Sequence, residues 1–211
     1  MSTCARYTQR VLPDNLLIRK LQDAANAYAQ YADKDILIIY SENKNGPFLS
    51  YEFYAGKENF QHLAGVKSPK GAVWFFNKCL DLDNPIERCD IVPKADIKTT
   101  SSKISVLPEA VDLTKAKAYK IGENDLKAMH CDFDMAISNI NHVIGIDKRN
   151  HHLPVPITVM NKSIYEFSSH CFKIFLIMTK EKKSAKYTDI YYEITPNIIQ
   201  KANLNIFNIQ T

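Results

Sequence analysis

Apolar residues recur at helical spacing early in the chain and at strand spacing later. After Pro13-Asp14, Leu17, Leu21, Ala24, Ala25, Tyr28 and Ala32 fall on one stripe, with Arg19, Lys20, Gln22 and Asp23 elsewhere. That spacing predicts an amphipathic helix. Asp35 to Ser41 is short, β-branched and apolar, and predicts a strand. Turn-forming residues fill 42–47, and the alternating Phe48–Tyr54 segment predicts the return strand of a hairpin. A short helix is expected over Asn59–Gly65. Phe60, Leu63 and Ala64 share its inner face, Asn59 and His62 lie at its flank, and Gly65 stops it as a left-handed cap.

Ser68-Pro69 opens the next helix, which carries Val73, Trp74, Phe75, Phe76 and Leu80. Residues 81–102 read as loop. Ile104–Leu107 reads as a short strand or extended lead, and Pro108 as the first turn of a helix over Glu109–Lys117. From Lys127 the period changes. Strands are expected over Ala128–Ile137, His142–Ile146, Val155–Met160, Cys171–Thr179 and Tyr187–Ile194. Such close spacing implies antiparallel pairing. The expected fold class is therefore α+β, with N-terminal helices packed on one face of a twisted antiparallel β-sheet. Residues 1–12 are expected to form an arm, 13–195 a single domain, and 196–211 a C-terminal tail that is either helix or strand.

Composition narrows the function classes. The 211 residues are 45% hydrophobic and 24% charged, which is ordinary for a globular chain. The net charge of +4 permits an anionic partner without demanding one. Five scattered cysteines form no C-x-x-C pair, so reduced thiols in the cytoplasm are expected rather than a disulfide framework or a zinc knuckle. No signal-peptide pattern and no bilayer-length apolar run is present, so no membrane partner is expected. Nucleotide-binding glycine motifs and His-Glu-x-x-His are also absent, and no cofactor or metal is expected. Asp132 and Asp134 would share a strand face but form only a weak pair.

Several groups are candidates for phosphate chemistry. His62, with Lys67 close by and Asn59 one turn away, has the residue types that metal-free RNA cleavage needs. Histidine moves protons near neutral pH and lysine holds the phosphate. The plainer reading leaves His62 packed at a helix edge. Lys103 follows Ser101-Ser102 and suits an anion. Thr158 follows two prolines and either offers its hydroxyl to a phosphate or packs inside a strand. Arg149, in the turn before His151-His152, is a candidate rim contact. Lys180, Lys182 and Lys183 form a cationic hairpin turn beside Tyr187, Tyr191 and Tyr192; it either steers a polyanion or is simply solvated.

The segment Tyr51-Glu-Phe-Tyr, followed by Asn59-Phe-Gln-His-Leu-Ala-Gly-Val-Lys67, resembles the phage-associated nuclease domains of the barnase–EndoU–colicin–RelE superfamily. The matching positions are Asn59, Phe60, His62, Leu63 and Gly65, with Lys67 following. The resemblance extends more loosely over 14–195, through Lys103, Pro154–Thr158 and the lysine-rich hairpin. It implies a helical layer on a four- or five-stranded antiparallel sheet, and metal-independent RNA cleavage by a toxin or phage–host conflict factor. It also implies His62 as general acid or base, Lys67 or Lys103 as the phosphate cation, and Thr158 as a transition-state contact. RNA is then the partner, with an antitoxin or immunity protein as a second. The final strands lack a clear second catalytic histidine. The alternative is a catalytically inactive module on the same fold that binds nucleic acid or protein, as an inhibitor or adaptor would.

Overall fold

A computed structural model describes residues 15–114, 120–123, 127–128, 131–139, 141–148, 152–168, 170–194, 196 and 198. The helices are α1 (Asn15–Ala29), α2 (Lys57–Leu63), α3 (Ala72–Leu80) and α4 (Ile97–Val111). The first strands are β1 (Lys34–Ser41), β2 (Leu49–Ala55), β3 (Val66–Lys67), β4 (Val92–Pro93) and β5 (Lys120–Glu123). They are followed by β6 (Lys127–Ala128), β7 (Cys131–Asp132), β8 (Met135–Ser138), β9 (Val143–Asp147), β10 (Val155–Met160), β11 (Cys171–Glu181) and β12 (Asp189–Glu193). The α+β class expected from the sequence is the one observed.

Eight strands form one antiparallel sheet in the order β10-β9-β8-β5-β11-β1-β2, with β12 also paired to β11. This is larger than the four or five strands implied by the resemblance. The sheet curls until its ends approach, and the Tyr54 N–H donates to the Pro154 carbonyl at 2.8 Å. Curling satisfies polar backbone that a flat sheet would leave open at its edge.

Helix α1 buries Leu17, Leu21, Ala24, Ala25 and Tyr28, the stripe read from the sequence. These residues share a core with Ile36, Ile38, Ile174 and Ile177 of the sheet, Phe60 of α2, Phe76 of α3 and Leu107 of α4. Two tyrosine hydroxyls anchor the layer: Tyr28 donates to the Gly56 carbonyl and Tyr31 to the Val111 carbonyl. The other face of β1 and β11 is also covered, because Leu37, Ile39, Phe175, Leu176 and Met178 pack with Tyr187 and Ile198. Burial on both faces is why β1 reads as a continuous apolar run rather than an alternating one. A bulge between Ile39 and Tyr40 lets consecutive Phe175 and Leu176 both point to this second face.

Several segments differ from expectation, among them the helix expected from Ser68-Pro69, which begins at Ala72. Ile104–Leu107 is neither strand nor extended lead, because α4 begins earlier, at Ile97. Asp96 caps it by accepting from the Thr99 N–H at 2.9 Å. Thr100, Ile104, Leu107 and Val111 then form a buried helical stripe whose first member is polar, which hides it in the Thr-Thr-Ser-Ser run. Pro108 lies inside the last turn, and the helix ends at Val111 rather than running to Lys117. Asp112 accepts from Thr114 there instead. Likewise Ala128–Ile137 is not one strand. β6 and β7 pair with each other, and β8 joins the main sheet. The break falls where Phe133 turns into a third apolar cluster with Ala136, Val143, Ile164 and Phe167.

Strand β10 carries a bulge between Pro156 and Thr158, opposite Gly145 of β9. A Cβ on Gly145 would lie 3.0 Å from Thr158 Cγ2 and 3.0 Å from Phe133 Cδ1. Gly145→Ala therefore overpacks the bulge. The expected loss is about 1–3 kcal/mol of unfolding free energy, read from urea denaturation. An unchanged midpoint would show that the bulge has slack.

Candidate active site

The site grows from the end of α2. Gly65 lies at φ +68°, in the left-handed region open to glycine, and stops the helix. Its carbonyl accepts from the Lys94 N–H at 3.0 Å and from the Thr100 hydroxyl at 3.5 Å. Just beyond, β3 pairs with β4, Val66 opposite Pro93 and Lys67 opposite Val92. One turn thus gathers the end of α2, the β3–β4 ribbon and the first turns of α4. A Cβ at Gly65 would sit 3.0 Å from Lys103 Cδ, so the lysine stem crosses directly over the glycine.

His62 leaves the end of α2 with its ring exposed. Its Nδ1 lies 2.5 Å from Lys94 Nζ. The Lys103 ammonium donates to the Thr158 hydroxyl at 2.8 Å. That bond spans 55 residues and ties α4 to β10. Burial, and then the charges of Lys94 and Lys67, hold the His62 imidazolium below the usual histidine range. Burial, Lys67 and Lys103 likewise make the Lys94 ammonium more acidic than an ordinary lysine. Lys94 touches His62, and Lys67 and Lys103 lie within electrostatic range of Lys94, so the four groups form one cationic cluster. Among the described residues no carboxylate pairs with Lys67 or Lys94. A concentration of positive charge of this kind attracts anions.

The other sequence candidates are distributed differently. Asn59 is buried, and its Oδ1 accepts from the Gly56 N–H at 2.9 Å, so this carboxamide oxygen is committed to starting α2. Thr158 is buried at 3% exposure and meets the site through Lys103. Lys103 itself stands on helix α4, not on an extended segment. Lys180 and Lys182 line another cleft, with Asp35, Glu52, Glu58 and His152, where acids offset the bases. Lys180 Nζ is 3.9 Å from Asp35 Oδ2. Lys183 is exposed in the β11–β12 turn, and Arg149 lies outside the described residues. Asp134 accepts from the Lys148 N–H. Among the described residues no three His, Cys, Asp or Glu side chains gather as metal ligands.

Lys94 is the member that sequence reasoning missed. It follows a two-residue strand containing a proline, too short for any periodicity to register. Its link to His62 passes through the β3–β4 pairing, not through local spacing.

Residues 20–195 match the model of the family described as phage-Barnase-EndoU-ColicinE5/D-RelE like nuclease4, and the chain belongs to that family. It is a nuclease family associated with phage, and such a family implies a nucleic-acid substrate. Compared with curated proteins and with solved structures, the chain has no match. No helix among the described residues is long and apolar enough to cross a membrane.

The lowered histidine value has a signed consequence. A histidine whose folded pKa lies below its unfolded value of about 6.5 contributes stability that is complete above that pH. The contribution is lost as pH falls through the folded value. His62→Asn removes the titration, so its melting temperature should fall less steeply than wild type between about pH 6.5 and 5. His142, held low by burial against an opposing pull from Glu109, is common to both proteins and cancels. Parallel melting profiles would contradict the lowering of the His62 pKa by burial and by Lys94 and Lys67.

Proposed function

We propose that the protein is a ribonuclease that cleaves RNA by general acid–base catalysis without a metal. The observation that carries this reading is the exposed His62 ring held against Lys94 inside the cationic cluster. The substrate phosphate sits among Lys67, Lys94 and Lys103, and the bond from Lys103 to Thr158 fixes one of the three cations in place. Thr158 is a positioning residue in this account, one step behind the phosphate.

In the free protein, Lys94 occupies the Nδ1 lone pair of His62. A bound phosphate draws the ammonium toward itself and releases that lone pair. Nδ1 then takes the proton of the 2′-hydroxyl as the 2′-oxygen bonds to phosphorus. The bond from phosphorus to the 5′-oxygen breaks, and the departing oxygen takes a proton from Lys94. Burial and neighbouring cations have already made that ammonium more acidic. Lys67 and Lys103 stabilise the charge that builds on the phosphorane oxygens. The products are a 2′,3′-cyclic phosphate and a 5′-hydroxyl. His62 ends protonated and Lys94 neutral, and a proton passing between these adjacent groups restores the starting state. Acting on RNA, a phage-associated chain of this kind would serve as a toxin in the cytoplasm, with a cognate inhibitor to restrain it.

The test is degradation of a single-stranded RNA in EDTA by wild type, His62→Ala and Lys94→Met. Wild type should cleave and leave 2′,3′-cyclic ends. Each variant should lose about 10²–10⁴-fold in rate, the usual worth of one acid–base group. No cleavage by folded wild type would leave the cluster as a binding surface, the alternative on this fold. Equal cleavage by all three would place the reaction elsewhere.

A further inference from the structure

A second cleft, of about 360 Å³, lies at the other end of the β3–β4 ribbon. Its lining includes Trp74 of α3, Lys70, Lys78, Asn84, Glu87 and Asp90. Trp74 is the only tryptophan in the chain and is half-buried, its body packed against the main core. The Lys70 ammonium sits 4.3 Å above its ring and 3.1 Å from Asp90 Oδ1. Lys78 lies 3.7 Å from Asp81 Oδ2. Asn84 and Glu87 are exposed at the rim.

The charge balance separates this cleft from the His62 cluster. Each lysine here already has a carboxylate, so the cleft is close to neutral. It offers an aromatic surface, hydrogen-bond donors and hydrogen-bond acceptors. A planar, uncharged ligand with polar edges matches it, whereas a phosphate does not. The volume is at the small end of ligand clefts, with space for one ring system. The two sites are also neighbours. Lys67 belongs to the cationic cluster and Lys70 to the cleft, and three residues of chain span at most about 11 Å. Asp90 and Lys94 flank the opposite strand of the ribbon, one on each side, and are similarly close in sequence.

We propose that this cleft is a base subsite. It takes one base of single-stranded RNA on Trp74 while the adjoining phosphate occupies the His62, Lys67, Lys94 and Lys103 cluster. Lys70 is 58% exposed, so it can swing from the indole to the sugar–phosphate chain as the base arrives. Asn84 and Glu87 face the polar edge of the base. This inference rests on the ribonuclease reading and adds a second contact to it.

The lone tryptophan makes the test direct. Wild-type protein is titrated with a short single-stranded 2′-O-methyl RNA, which cannot be cleaved because it lacks the free 2′-hydroxyl. Binding is followed by anisotropy of an end label and by Trp74 emission. A series of oligomers, each abasic at one position, is run in parallel. Saturable quenching that tracks anisotropy is expected, with roughly tenfold or greater weakening at one abasic position only. Trp74→Leu should bind the intact oligomer as weakly as wild type binds that abasic one, with no further loss on combining the two. Binding without quenching, and with equal affinity across the abasic series, overturns the subsite and leaves the phosphate cluster standing. If no oligomer binds, the ribonuclease reading falls with it. Because the abasic series uses unaltered protein, the outcome does not depend on how well Trp74→Leu folds.

Discussion

One backbone carbonyl, that of Gly65, organises the candidate site of this protein. It receives an N–H from Lys94 and a hydroxyl from Thr100, so a helix end, a two-strand ribbon and a second helix share one point. The geometry requires a positive φ, which costs a side-chain-bearing residue free energy. A Cβ would also crowd the stem of Lys103, whose Cδ would lie 3.0 Å from it. Glycine here is thus both a turn residue and a gap. Through it, Lys94, distant in sequence, reaches His62, and Lys103 comes within electrostatic range of Lys94.

What this arrangement gathers is unfavourable by itself. Burial disfavours the charged forms of His62 and Lys94, and repulsion from neighbouring lysines lowers their proton affinities further. The surrounding scaffold must hold the groups together: the α2 cap at Asn59, the Asp96 cap of α4 and the buried Thr158 under Lys103. Destabilisation concentrated at one exposed spot, supported by a well-packed frame, is typical where function rather than stability selects the residues. The cleft around Lys180 and Lys182 differs in kind. Its lysines face Asp35, Glu52 and Glu58, and the charges are compensated within the protein.

The sequence was legible where a single period persists. The α1 stripe, the β1–β2 hairpin and the α2 segment ending at Gly65 all rest on local patterning, and the structure reproduces them. Legibility failed where the deciding contact is distant or the pattern is masked. Helix α4 starts in a Thr-Thr-Ser-Ser run and contains Pro108, so local preference argued against it, while the core beneath α1 outweighed that preference. The strand order of the sheet, with β11 set between β1 and β5, depends on pairings that no local window contains. In the candidate site, His62 and Lys67 stood within one short segment and were visible together. Lys94 was not, because its connection runs through two-residue strands. Thr158 and Lys103 were each noticed, but their bond across the fold could not be read from either stretch alone.

That bond carries a consequence for timing. Chains are made from the N-terminus, and elements fold as their partners appear. Helix α2, the β3–β4 ribbon and α4 are all complete before Thr158 has been added. Until strand β10 docks, Lys103 lacks its anchor and the cationic group is unfinished. Under the proposed ribonuclease activity, that order keeps the cutting apparatus incomplete on the ribosome until the strand that carries Thr158 has been made.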